Sequence, residues 1–141
     1  MDRMKTLLIS AIVIVIALEL HSPLDARGSQ VGRVIGWGSN TGGQATGVPS
    51  SGYATGFVEI TSQPLTNAMA IAAGRSHALV LANDGTVSGW GFNAFGQATG
   101  STGQGAAQVG NGPVRVAGKT LTGVTAVSAG EITSTARSGA R

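Results

Sequence analysis

Apolar and polar residues along this chain form short runs that predict β-strands. His77–Ala82 is an almost continuous apolar run, which is typical of a strand buried on both faces. Asn83, Asp84 and Gly85 follow it and predict a tight hairpin turn, because these residue types tolerate positive φ. No segment beyond residue 26 shows a helical period. The pattern therefore predicts an all-β domain.

The other predicted strands come in matched pairs. They are residues 31–37 with 85–90, residues 57–60 with 113–116, and residues 69–73 with 124–129. In the first pair each strand is predicted to end at a tryptophan. The stretches between strands, residues 48–56 and 101–112, are rich in small and polar residues and are predicted to be variable loops.

Two segments of the chain nearly repeat each other. VIGWGSNTGGQATG starts at Val34 and VSGWGFNAFGQATG starts at Val87, so that Trp37 and Trp90 coincide. A second match joins residues 70–74 to residues 126–130, with the extra residues falling in a loop, as is usual in repeat arrays. An internal repeat of this length indicates a stack of similar units.

The N-terminus has the pattern of a secretory signal. Arg3 and Lys5 precede an apolar run over residues 7–18, which is shorter than the roughly 20 residues that span a bilayer. We expect a signal helix and signal peptide over residues 1–26 with cleavage after Ala26, and an extracytoplasmic domain over residues 27–141. An uncleaved signal would be the one route to membrane association.

The composition argues against several classes of function. The chain has no cysteine, so a disulfide framework and a thiolate metal site are excluded. Its 23 glycines disfavour helices and suit tight turns. Beyond residue 26, seven basic residues stand against three acidic ones, and the basic residues are scattered singly rather than clustered on one segment. Binding to nucleic acid is therefore not expected.

The repeated motif resembles the regulator of chromosome condensation repeat family. The resemblance covers about residues 31–130 and is carried by Trp-Gly, Asn and Gly-Gln at equal spacings in both segments, together with residues 71–74, His77, Leu79, Leu81 and the Asp84-Gly85 turn. It implies antiparallel propeller blades of four strands each, in rings of about seven blades. About two repeats are present, which corresponds to an incomplete propeller of about two blades.

The chain departs from the family pattern in ways that bear on folding. Ala45-Thr46 and Ala98-Thr99 stand where the family usually has a leucine, so we expect a different turn there. Thr133 replaces the second histidine, and residues 132–141 lack an apolar run like that of His77–Ala82. Roughly three repeats are normally needed for stability, so we expect a domain that is either marginally stable and poorly folded as a monomer or associated with other copies. A truncated, non-functional gene product is kept as an alternative.

No arrangement of residues predicts catalysis, a cofactor or a metal. His77 is the single histidine beyond residue 26, and the resemblance implies a structural role for it beside a turn. A triad of His77, Asp84 and a serine lacks the strand-to-helix elbow that such enzymes use. Gly118-Lys119-Thr120 lacks the earlier glycine of a phosphate-binding loop. The tryptophans are interpreted as packing between neighbouring blades.

The expected function is non-catalytic binding of a protein partner. Aromatic side chains dominate interface energies, so Tyr53 and Phe57 are the candidate partner-binding residues. The resemblance leaves two other functions open, a guanine-nucleotide exchange factor-like regulator and a secreted inhibitor of the β-lactamase-inhibitor type. The export signal argues against the first of these, because small GTPases are cytoplasmic or nuclear.

Overall fold

The computed structural model describes residues 31–102 and 108–139, and the predicted signal peptide lies outside these residues. The described part is built from antiparallel β-sheets without a helix, so the all-β prediction is confirmed. Its strands are β1 (Ile35–Ser39), β2 (Tyr53–Phe57), β3 (Glu59–Ile60), β4 (Gln63–Pro64), β5 (Ala68–Ala73), β6 (His77–Ala82), β7 (Val87–Phe92), β8 (Val109–Pro113), β9 (Arg115–Val116), β10 (Lys119–Thr120), β11 (Val124–Ala129) and β12 (Ser134–Ser138).

The largest sheet is an antiparallel meander of four strands in the order β5-β6-β7-β8. Its centre is β6, in which all six residues are buried, as the continuous apolar run predicts. The turn from β6 to β7 is also confirmed. Gly85 has φ +79°, and Asp84 Oδ1 accepts hydrogen bonds from the amide and hydroxyl of Thr86. These bonds hold the turn closed and set the β6–β7 register.

Two hairpins, one before this sheet in the sequence and one after it, have the same strand pairing as parts of the sheet. The β1–β2 hairpin repeats β7–β8, since Trp37 pairs with Thr55 as Trp90 pairs with Asn111. The β11–β12 hairpin repeats β5–β6, and each has a register shift at the same place, after Val124 and after Ala68. The sequence repeat is therefore a structural repeat, in which β1–β2 corresponds to the second two strands of the central sheet and β11–β12 to its first two.

The turn after each tryptophan strand is organised by a buried asparagine. Asn93 Oδ1 accepts hydrogen bonds from the amides of Ala98 and Thr99, and its Nδ2 donates to Thr99 Oγ1 and to the carbonyl of Ser101. Asn40 makes the corresponding bonds one repeat earlier. Donor and acceptor ends are both used, so each asparagine closes its turn without an unsatisfied polar group.

Several predicted element limits were wrong. Both tryptophan strands continue two residues past the tryptophan, to Ser39 and Phe92, because Gly38 and Gly91 adopt positive φ without leaving the ladder. The predicted loops 48–56 and 101–112 each contain strand residues, which form most of β2 and β8. These glycine-rich strands lack an apolar signal because their pairing comes from the backbone of a neighbouring strand.

Apolar side chains form a core between successive repeats. One cluster joins Val34, Val58, Ile60 and Leu65 of the first repeat to Ala68, Ala78, Val80 and Trp90 of the central sheet. A second cluster joins Leu79, Leu81 and Val87 of the central sheet to Val124 of β11. The second cluster has no tryptophan. Its neighbour β12 is largely exposed, since small and polar residues occupy the places of the β6 apolar run.

Candidate functional site

Three aromatic side chains lie together on one face of the β1–β2 hairpin. Trp37 is opposite Thr55, and Tyr53 and Phe57 lie two residues to either side of Thr55, so all of them project from the same face. Their exposed fractions are 37 % for Trp37, 78 % for Tyr53 and 40 % for Phe57. We call Trp37, Tyr53 and Phe57 the aromatic face. The two residues predicted from the sequence are brought together there with a third.

The corresponding face of β7–β8 is covered by the preceding repeat. Trp90 is 0 % exposed, and its indole Nε1 donates a hydrogen bond to the Gln44 carbonyl at 3.0 Å. Asn111 Nδ2 donates to the carbonyls of Gly47 and Glu59 at 2.6 and 3.0 Å. The inter-repeat packing predicted for Trp90 is confirmed. The same packing is not observed for Trp37, which is 37 % exposed.

Phe57 is partly engaged within the chain. The Arg33 guanidinium carbon lies 3.3 Å from the centre of its ring, in cation–π contact. This contact holds the ring at the edge of the aromatic face and places a positive charge beside it. Tyr53 has no such contact among the described residues and is the most exposed member, so it has the largest area available to a partner.

A groove of about 410 Å³ lies at the other end of the described region, between the central sheet and β12. It is lined by apolar side chains from the β7–β10 part of the chain and by small residues of β12, including Val87, Val114, Val116, Leu121, Ser134 and Ala136. We call it the β12 groove. The groove was not predicted from the sequence. The apolar residues at its base, Val114, Val116 and Leu121, are the counterparts one repeat later of residues that pack under Trp90.

A smaller cavity of about 280 Å³ lies near the turns at one end of the strands. Thr41, Gln44 and Phe92 line it, together with Arg75 and Glu131. Arg75 and Glu131 form a salt bridge there. Both side chains are more than half exposed, so the pair contributes at most about 1 kcal/mol to stability. Since its charges are already paired, this cavity offers little electrostatic attraction to a charged ligand.

His77 is a buried link between the central sheet and β12. Its Nε2 lies 2.8 Å from Ser134 Oγ, which in turn donates to the Gln97 carbonyl at 2.7 Å. Since the hydroxyl donates to Gln97, the ring donates to the hydroxyl, and Nδ1 carries the lone pair. Burial lowers the pKa of His77. Asp84 lies beyond the opposite end of β6, so the two residues cannot form a triad.

We expect the free energy of unfolding to fall as the pH drops below about 6.5, the ordinary pKa of histidine. The folded protein keeps His77 neutral while the unfolded chain binds the proton, so the stability is fully present above this pH and is lost below it. The slope approaches about 1.4 kcal/mol per pH unit between the two pKa values. Urea denaturation at a series of pH values measures it.

The control for this prediction is His77→Gln, which keeps a polar side chain without titration in this range. Asp84 does not interfere, because hydrogen bonds from Thr86 lower its pKa and its contribution is lost only as the pH falls below about 3.8. Equal slopes between pH 5 and 7 for the two proteins would contradict a neutral, buried His77.

Within residues 31–102 and 108–139, no group of three or more histidine, aspartate or glutamate side chains lies close enough to hold a metal ion. The same part of the chain contains no helix with the length and apolar character needed to cross a bilayer.

Comparison with known families finds a match over part of the chain. The family model described as regulator of chromosome condensation (RCC1) repeat matches residues 70–97. The match runs from β5 to Gln97, just beyond Asn93, and confirms the resemblance over this segment. The match spans 28 residues, about half of the 53-residue interval between the two tryptophans, so the count of about two repeats stays a prediction. No curated protein matches the chain.

Proposed function

We propose that this chain is an exported, non-catalytic protein-interaction module that binds its partner through the aromatic face of the β1–β2 hairpin. One observation carries the proposal. Trp37, Tyr53 and Phe57 are exposed together, whereas Trp90, on the same face of β7–β8, is fully buried against the preceding repeat. Contiguous apolar patches on soluble domains usually mark interaction sites, and aromatic residues usually dominate their binding energy.

The scaffold in this proposal is a set of propeller blades. The β5–β8 sheet is one blade of four antiparallel strands, as the regulator of chromosome condensation repeat over residues 70–97 implies. The β1–β2 hairpin is the outer half of the blade before it, and β11–β12 is the inner half of the blade after it. Repeat scaffolds of this kind commonly act as binding surfaces, with specificity carried by residues outside the framework.

The location in this proposal rests on the N-terminal sequence. Arg3, Lys5 and the apolar run over residues 7–18 form an export signal, and cleavage after Ala26 releases the domain. The partner is then an extracytoplasmic protein. The seven scattered basic residues beyond residue 26 give the surface a mild positive charge, which would favour a partner with an acidic rim.

Photo-crosslinking in the expressing cells tests the function. We expect p-benzoylphenylalanine in place of Tyr53 to form a covalent adduct with a protein, because Tyr53 is the most exposed member of the aromatic face. Mass spectrometry of the adduct identifies what has been bound. The matched control carries the same group at Met69, an exposed apolar position on β5 that is not part of the aromatic face. The absence of a specific adduct at Tyr53 would contradict the proposal.

A further inference from the structure

The β12 groove is equivalent, one repeat later, to the site around Trp90. Its apolar lining is present, but no described tryptophan fills it. Val58, Ile60 and Leu65 are buried beneath Trp90 in the first cluster. Their counterparts 56 residues later are Val114, Val116 and Leu121, which line the groove. Ile60 is 8 % exposed whereas Val116 is 57 % exposed. The floor of a tryptophan site is thus present without a tryptophan in the described residues.

The opposite half of the same interface lies on β1–β2. Trp37 corresponds to Trp90 but is 37 % exposed. A side chain added at Gly91 would meet the backbone of Ser76 and His77, whereas one added at Gly38, its counterpart, would meet nothing within 4 Å. The hairpin therefore has an open face and an open edge where β7–β8 has neighbours.

We propose that the β12 groove binds the β1–β2 hairpin of a second copy of this chain, with Trp37 filling the position that Trp90 fills between the first repeat and the central sheet. This inference rests on the proposed function, since the aromatic face is the contact surface in both. The inner hairpin β11–β12 of one copy and the outer hairpin β1–β2 of the next then complete a four-stranded sheet with the order seen in β5–β8.

The register between the two copies follows from the β6–β7 pairing. Ala78 pairs with Trp90 and Val80 with Ser88 in the central sheet. Shifted by one repeat, these pairs become Ser134 with Trp37 and Ala136 with Ile35. Among the described strands β12 pairs with β11 alone and β1 with β2 alone, so both strands have a free edge. Free edges of this kind are ready templates for strand addition.

A hydrogen-bond acceptor is in place for the incoming indole. Trp90 Nε1 donates to the Gln44 carbonyl, and the counterpart of that carbonyl is Gln97 in the β12 groove. The Gln97 carbonyl accepts one hydrogen bond, from Ser134 Oγ. A carbonyl oxygen has two lone pairs, so it can also accept the N–H of Trp37 from the second copy.

One difference between the two interfaces makes the contact between copies weaker. Asn111 makes hydrogen bonds to Gly47, Glu59 and Thr61 of the preceding repeat. Its counterpart on β2 is Thr55, whose shorter side chain cannot span the same three groups. We therefore expect reversible association, and we expect Thr55→Asn to strengthen it. Because donor and acceptor surfaces differ, copies join head to tail and form a ring or an open chain.

Disulfide trapping tests the register directly, since the chain has no cysteine of its own. Full-length Ile35→Cys and Ala136→Cys chains with different tags are co-expressed, exported and oxidised mildly. Opposed residues on antiparallel strands have Cα atoms about 4.5–5.5 Å apart, within the range of a disulfide. We expect a disulfide that joins the two tags. Ile35→Cys with Met69→Cys is the matched control.

Two further substitutions separate docking from random collision. Adding Trp37→Ala to the Ile35→Cys chain should lower the trapped fraction at least about tenfold, as loss of an aromatic hot spot does. Adding Thr55→Asn instead should raise it. A trapped fraction no greater than in the Met69→Cys control, or one that Trp37→Ala leaves unchanged, would overturn the proposal. An adduct of Tyr53 with a different protein, without the Ile35–Ala136 disulfide, would overturn self-docking and leave the interaction function standing.

Discussion

Replacing Trp90 with alanine is expected to lower the free energy of unfolding by about 4 kcal/mol. Trp90 is fully buried, and it packs on Val34, Val58 and Val80 between the first repeat and the central sheet. The substitution removes this apolar contact and opens a large cavity, because neighbouring backbone restrains the collapse of the site. It also leaves the Gln44 carbonyl, the acceptor of the indole N–H, without its partner. The urea midpoint of the exported protein measures the loss.

Trp37→Ala is the matched control, since it makes the same chemical change at the equivalent position of the repeat. Trp37 is more than one-third exposed and donates no described hydrogen bond, so we expect a loss of at most about half that of Trp90→Ala. If Trp90→Ala is too unstable to purify while Trp37→Ala is folded, the ordering is the same. Equal losses at the two positions would contradict the assignment of Trp90 to the inter-repeat core and Trp37 to an open face.

Gly89→Ala is expected to prevent stable folding or to cost about 3 kcal/mol or more, as overpacking of a rigid core does. Gly89 lies in β7 at the centre of the main sheet, where an added Cβ would overlap the carbonyl oxygen of Ala98. This oxygen belongs to the turn that Asn93 closes, so the turn cannot move away without losing its hydrogen bonds. Circular dichroism and urea denaturation detect the effect.

The cross-strand neighbour of Gly89 provides the control. Gly112 pairs with Gly89 in the β7–β8 ladder, but a Cβ added there would make ordinary contact with Thr61 at 3.9 Å. We expect Gly112→Ala to be neutral or to stabilise the protein by up to about 1 kcal/mol, because alanine restricts the unfolded chain. A Gly89→Ala variant as stable as Gly112→Ala would show that the turn is not held against β7 as described.

The sequence predicted best where residue type and local conformation agree. The β6 run and the Asn83-Asp84-Gly85 turn were predicted correctly, because burial on both faces requires continuous apolar residues and a tight turn requires residues that tolerate positive φ. It failed for β2, β8 and β12, whose residues are small, polar or glycine. These strands form because a partner strand supplies backbone hydrogen bonds, and that information lies elsewhere in the chain.

The candidate site also has features that the sequence predicted and features that only the structure revealed. Tyr53 was predicted in a loop and Phe57 at the start of the strand that follows it, and the structure places both on β2, on the same face as Trp37. The β12 groove had no sequence signal of its own, since its lining comes from separate segments. These segments can be found by adding the repeat offset to the residues that pack around Trp90, and those residues are known only from the structure.

By itself the sequence determined the all-β class, the equivalence of Trp37 with Trp90 and the Asn83-Asp84-Gly85 turn, because each depends on residue types at fixed local spacing. Only the tertiary structure decided that the two tryptophans have opposite environments. Trp90 follows a repeat that supplies the Gln44 carbonyl and an apolar floor, whereas no described repeat precedes Trp37. Burial depends on neighbouring elements, so two nearly identical motifs differ in exposure when only one of them has a described repeat packed against it.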